Sequence, residues 1–157
     1  MPAFKFRAQP ALDLRRREHE AAQRALARAD AERQHARGHL DVAERAAVQA
    51  RHEADAAAGG ATSQADREWY RFWIIRLDRE RGVAALNLRR HDEALAHARS
   101  ACLQARQRYE ALERLREKAY AAHLAGVMAA EKKIIDDLAT QRYALRRDQG
   151  EGAESGH

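Results

Sequence analysis

Residues 56–63 read Ala-Ala-Ala-Gly-Gly-Ala-Thr-Ser, an internal break between two long stretches of helix-forming sequence. Gly59 and Gly60 suit the left-handed conformation that ends a helix. Thr62 or Ser63 suits the N-cap of the next one, and Ser63 followed by Asp66 resembles a capping box with Asp in place of the usual Glu or Gln. On both sides Ala, Arg, Leu, Glu and Gln predominate, all strong helix formers.

On the N-terminal side, Pro10 fits the first turn of a helix, where its missing N–H costs nothing. From there to Ala58 only Gly38 opposes a helix, at roughly 1 kcal/mol relative to Ala. Acid-first pairs such as Asp13/Arg17, Glu20/Arg24 and Asp41/Arg45 lie one turn apart in the favourable order. Ahead of Pro10, Phe4 and Phe6 alternate as in a strand, but the segment is too short to make a sheet alone. On the C-terminal side a second helix runs from about 64 to about 147, through Gly82 and Gly126, at about 1 kcal/mol each. A Gly-rich tail, residues 148–157, is expected to be disordered. The two helices are expected to span roughly 70 Å and roughly 125 Å.

Neither helix is stable at that length without a partner, and the heptads show where the partner lies. Steps of seven from Leu12 reach His19, Leu26, Arg33, Leu40, Ala47 and Ala54. Steps of seven from Ala22 reach Ala29, Ala36, Ala43, Ala50 and Ala57. The two sets are offset by three and four, the a/d pattern of a coiled coil. The second helix carries Tyr70, Leu77, Ala84, His91, Ala98, Ala105, Leu112 and Ala119 in one set. Its other set is Ile74, Leu88, Leu95, Cys102 and Tyr109, broken by Arg81. A short turn makes the helices antiparallel. The predicted fold is therefore all-α: an antiparallel coiled-coil hairpin over 1–147, with helix 1 about 10–58, a turn at 59–63 and a longer helix 2. The expected register pairs Leu26 with Leu95 and Leu12 with Tyr109, and leaves residues from about 118 onward without an internal partner.

Composition agrees with a thin seam and excludes a thick core. Of 157 residues, 34% are charged and 6% aromatic. The net charge of +5 arises from 29 basic and 24 acidic side chains. They are spread evenly, 11 and 9 in residues 1–60 against 18 and 15 in the rest, so neither half is a basic arm. Arg15, Arg16 and Arg17 stand between Asp13 and Glu18 and read as a solvated face rather than a phosphate site. A single cysteine, Cys102, rules out an intramolecular disulfide and suits a reducing compartment. No run approaches a membrane span or a signal peptide. A cytoplasmic protein without direct membrane insertion is expected.

No catalytic, cofactor or metal constellation is expected. The eight histidines form no zinc spacing with Cys102, and no H-E-x-x-H, C-x-x-C or P-loop pattern is present. His19, His91 and Cys102 fall on seam positions, where packing explains them. Asp136 and Asp137 are adjacent on a helix, so their side chains diverge and cannot share a proton or a metal. A coiled coil also lacks a pocket to exclude water. The protein is read as a non-enzymatic binding protein.

Two segments exceed what the seam can bury. Glu68-Trp-Tyr-Arg-Phe-Trp-Ile-Ile-Arg-Leu77 holds both tryptophans; it either closes the end of the hairpin or exposes a binding patch of hot-spot residue types. In the overhang Leu124, Val127, Met128, Ile134, Ile135, Leu138 and Leu145 recur near three- and four-residue spacing. Such a stripe either docks on another protein or belongs to a frayed helix end.

These residues resemble the FliJ family of the bacterial flagellar type III export apparatus. The opening Phe4-Lys-Phe-Arg-Ala-Gln-Pro-Ala-Leu-Asp-Leu-Arg-Arg-Arg-Glu18 is similar to the family's F-x-F-R-L-x-x-V-L-x-x-R, with the smaller Ala8 and Ala11. Trp69, Trp73, Ile74 and Leu77 resemble W-x-x-Y-x-x-F-I-x-x-L. Glu131-Lys-Lys-Ile-Ile-Asp-Asp-Leu-Ala-Thr-Gln-Arg142 is similar to E-x-K-x-L-D-E-x-A-x-x-R. The resemblance implies a stalk resting in the flagellar export ATPase hexamer, linked to the cytoplasmic domain of the export gate and to export chaperones. It implies peripheral association with the inner membrane through that apparatus. It also implies gate contacts by Trp69, Phe72, Trp73 and Leu77, and ATPase contacts by Lys133, Ile134, Ile135, Leu138 and Arg142. The alternatives are a virulence-type injectisome stalk, or a basic coiled coil that binds nucleic acid non-specifically, suggested by the isoelectric point of 9.8.

Overall fold

The computed structural model describes residues 3–154. They form two long helices packed against each other, α1 (Gln9–Ala58) and α2 (Gln64–Glu154), and no strand among the described residues. The chain divides into two compact units, Arg15–Arg108 and Met1–Leu14 with Tyr109–His157.

In the first unit both helices bury the expected heptads. Ala36, Leu40, Ala47 and Ala50 of α1 are buried, as are Leu88 and Leu95 of α2. The remaining seam positions of this unit, from His19 to Ala57 and from Tyr70 to Ala105, are half-buried, and Arg81 is exposed where the pattern breaks. Leu40, Leu88 and Ala36 form one cluster, with Ala84 against it. A small residue on one helix thus makes room for a large one on the other, as close packing demands. Each leucine so buried contributes about 1.5–3 kcal/mol.

The register differs from expectation by about half a turn to two turns, according to the bridge considered. Arg33 was expected opposite Leu88, but its Nε reaches Asp92 Oδ1 at 2.8 Å. Glu32 Oε2 lies 3.8 Å from His91 Nδ1, and Arg51 Nη2 lies 2.8 Å from Asp78 Oδ1. The reason is Arg81: the expected register sets Leu40 against that guanidinium, whereas the observed one brings Leu40 together with Ala84 and Leu88.

The turn is built differently from the glycine caps read in the sequence. Among the described residues no glycine has a positive φ. The Gly60 N–H donates to the Ala57 carbonyl at 3.2 Å, and the Thr62 hydroxyl donates to the same oxygen. Two donors thus satisfy the Ala57 carbonyl, one of those the helix end leaves without an intrahelical partner, and no left-handed residue is used. Ser63 then caps α2 as anticipated: the Asp66 N–H donates to its Oγ at 3.1 Å, while the Ser63 hydroxyl donates to Asp66 Oδ2 at 2.6 Å. At the other end α2 continues past 147, through Gly150, to Glu154. No proline stops it, and a glycine costs only about 1 kcal/mol. The last residues of the expected tail, 155–157, lie outside the described residues.

The second unit carries the largest departure. Leu12 is fully buried. The segment ahead of α1 turns into the helix where the Gln9 N–H donates to the Phe6 carbonyl at 3.1 Å. This places the Phe4 ring 5.2 Å from Tyr120 in an edge-on contact and 5.5 Å from His123. The stretch of α2 after 118 is therefore not unpartnered. Ala119, His123 and Val127 are half-buried, and full exposure begins only at Met128. A segment too short for a sheet thus still covers part of α2, through the Phe4 ring.

Two measurements check these features. Gly59→Ala is expected to leave stability unchanged or raise it by about 0.5 kcal/mol, because an added Cβ meets nothing closer than 3.6 Å; a loss above 1 kcal/mol in urea unfolding would restore the left-handed cap. Phe4→Ala removes the contacts to Tyr120 and His123, worth about 0.5–1.5 kcal/mol each. Amide exchange should rise severalfold at residues 119–127 and stay unchanged around Leu40.

Candidate docking surfaces

The hairpin seam sorts the aromatic segment into two groups. Tyr70, Trp73, Ile74 and Leu77 are half-buried at seam positions and close the packed region next to the turn. Trp69 stacks over them, its ring 5.1 Å from both Tyr70 and Trp73, yet it remains 57% exposed. Phe72 takes no part in that stack and is 70% exposed. Of the four residues expected to meet the gate, Trp69 and Phe72 are presented to the surface, while Trp73 and Leu77 hold the helix that presents them.

Phe72 opens onto a groove of about 720 Å³ that runs along α2 and is bordered by His39 of α1. Its apolar lining is Phe72, Ile75, Val83 and Leu86. Arg76 lies 3.1 Å from Glu80 across one turn, and Arg79 and Arg90 add two more cations. Sequence reading missed Val83, Leu86 and Arg90 because apolar and basic residues alternate along this face, so no apolar run marks it.

The free end of α2 forms a surface of another kind. From Met128 to Gly150 every residue is exposed. Ile134, Ile135 and Leu138 are at least half exposed, Ile135 at 65%. At about 100° per residue they share one side of the helix with Arg142, whereas Lys133 lies on the opposite side. The five residues expected to meet an ATPase therefore divide four to one. The Thr140 hydroxyl donates to the Asp136 carbonyl at 2.9 Å, so this polar side chain is satisfied within its own helix.

Several basic residues are committed to carboxylates on the hairpin itself. Arg15 Nη1 lies 2.8 Å from Glu18 Oε2, and Arg33 and Arg51 bridge the two helices. Among the described residues no group of three or more His, Cys, Asp and Glu side chains is placed to hold a metal ion. No helix is long and apolar enough to cross a membrane, again among the described residues. Cys102 is a free, half-buried seam residue.

Two long helices packed against each other along a heptad seam define the class: an all-α coiled-coil protein. Within that class the chain belongs to the flagellar FliJ protein family, whose model matches residues 4–148. Membership covers nearly the whole chain and makes it a flagellar export component. No curated protein and no solved structure gives a significant match.

Proposed function

We propose that the protein is a non-enzymatic stalk that links the export ATPase ring to the cytoplasmic domain of the export gate and also engages export chaperones. The observation that carries this reading is the surplus of apolar surface on α2. The seam consumes one face of that helix, yet Trp69 and Phe72 near the turn and Ile134, Ile135 and Leu138 in the free segment stay in water. A solvated apolar stripe gains little alone and about 1.5–3 kcal/mol per aliphatic side chain on docking, before ordering costs. In this reading Trp69 and Phe72 contact the gate, supported from beneath by Trp73 and Leu77. Ile134, Ile135, Leu138 and Arg142 face the ATPase, and Lys133, on the other side of the helix, steers the approach. Such steering alters association rates more than affinity. The protein then works in the cytoplasm and meets the inner membrane only through the apparatus.

The free segment is tested by Ile135→Asp combined with Leu138→Asp. Stimulation of the ATPase should be lost, while the melting temperature moves by less than about 2 °C, as for exposed positions. A large drop in melting temperature would mean that these residues pack within the hairpin, and the reading would fall. For the gate, Trp69→Ala with Phe72→Ala should weaken binding of its cytoplasmic domain by more than about 1 kcal/mol, roughly fivefold. Unchanged affinity in a folded variant would reduce the aromatic segment to a structural end-closure.

A further inference from the structure

The residues of α2 that meet α1 form one stripe, through Ile74, Leu77, Ala84, Leu88 and Leu95. On the outer face of α2, about 150° round the helix, runs a second: Phe72, Arg76, Arg79, Val83, Leu86 and Arg90, spaced by four, three, four, three and four residues. That is the three-four spacing of a coiled-coil face, with arginine at three of its six positions. All six are exposed, and Val83 reaches 69%. A helix with two such repeats has two contact faces, and α1 occupies one of them. The second lines the groove that His39 borders, and leaves it open to another helix.

We propose that this groove docks a third helix, supplied by a partner protein, whose apolar stripe is flanked by carboxylates. The inference rests on the reading that this stretch of α2 meets a partner, and it specifies that partner's chemistry. Length sets the first requirement. From Phe72 to Arg90 the stripe spans about 27 Å, so the occupant is a helix of about five turns. The apolar requirement comes from Phe72, Ile75, Val83 and Leu86, which a helix with aliphatic residues at matching spacing would cover.

Charge sets the third requirement. Arg76 is paired with Glu80, the only carboxylate lining the groove, but Arg79 and Arg90 make no ion pair among the described residues. A basic helix is repelled here, and a neutral one leaves two guanidinium groups unpaired at a forming interface, which is costly. A second copy of this stripe fits badly for the same reason. In a two-fold antiparallel pairing Phe72 meets Arg90, Leu86 meets Arg76 and Val83 meets Arg79, so every apolar side chain faces a cation. In a parallel pairing arginine faces arginine. Only an occupant that brings carboxylates resolves the pattern.

The test uses the full-length chain and a labelled 21-residue helical peptide of three heptads, with Leu at a and d and Glu at e and g. One control peptide replaces Glu with Lys, and another replaces Leu with Ser. By fluorescence anisotropy the Leu/Glu peptide should bind at least tenfold tighter than either control. Arg79→Glu with Arg90→Glu should reverse the preference toward the Lys peptide. Leu86→Asp should weaken the Leu/Glu peptide at least tenfold with helix content and melting temperature unchanged, because Leu86 is half exposed. Equal binding of the Glu and Lys peptides would overturn the proposal, as would binding of the Ser peptide as tight as that of the Leu/Glu peptide, or affinity indifferent to the groove variants. Concentration-dependent dimerisation abolished by Leu86→Asp would assign the groove to a second copy and equally overturn it. Gate binding by Trp69→Ala, measured in parallel, tests the gate reading separately, since Trp69 lies outside the groove. Peptide discrimination that follows the groove variants supports the acidic helix whatever the gate does.

Discussion

Everything in this fold depends on alanine meeting leucine across a single layer of side chains. The unbroken alanine heptad of α1 brings the backbone of α2 close, and Leu40, Leu88 and Leu95 fill what space remains. A core one side chain thick has no second layer to absorb a misfit, so each large residue must find a small one opposite. This constraint outranks charge in choosing the register: the helices slide until Leu40 meets Ala84 and Leu88 instead of Arg81, and the bridges from Arg33 to Asp92 and from Arg51 to Asp78 form where that choice leaves them. Exposed pairs of this kind are worth about 0.2–1 kcal/mol, enough to favour a register already selected by packing.

What was legible in the sequence follows from the same physics. Seam positions could be read because period and residue size both mark them, and Ser63 could be read because capping is local chemistry. The axial offset was not legible, since an alanine heptad looks alike after every turn and only Arg81 distinguishes the alternatives. The turn was misread because Gly59 and Gly60 invite a left-handed cap, while Thr62 supplies a hydroxyl that makes one unnecessary. The cover that Phe4 provides over Tyr120 is a contact between an irregular segment and a helix, for which no periodicity exists to be counted.

The candidate surfaces divide along the same line. The stripe of Ile134, Ile135 and Leu138 shows in sequence because it is apolar and periodic. The groove beside Phe72 stayed hidden because arginines occupy half of its heptad positions, whereas Leu77 could be read as a seam residue and is half-buried there. A helix that alternates apolar and basic residues on its outer face stays solvated alone without being featureless. Such a face discriminates among partners by what it repels as well as by what it holds.

The graded sequence separation of the cross-helix contacts implies an order of assembly. Arg51 and Asp78 are 27 residues apart, Arg33 and Asp92 are 59 apart, and Phe4 and Tyr120 are farther still. Loop-closure entropy grows with that separation, so the hairpin zips from the Ser63 cap outward, each contact shortening the loop that the next must close. Phe4, synthesised ahead of both helices, is then the last to find its place. Until α2 has been synthesised past Tyr120, the Phe4 ring has no partner, and the nascent chain carries an open aromatic end.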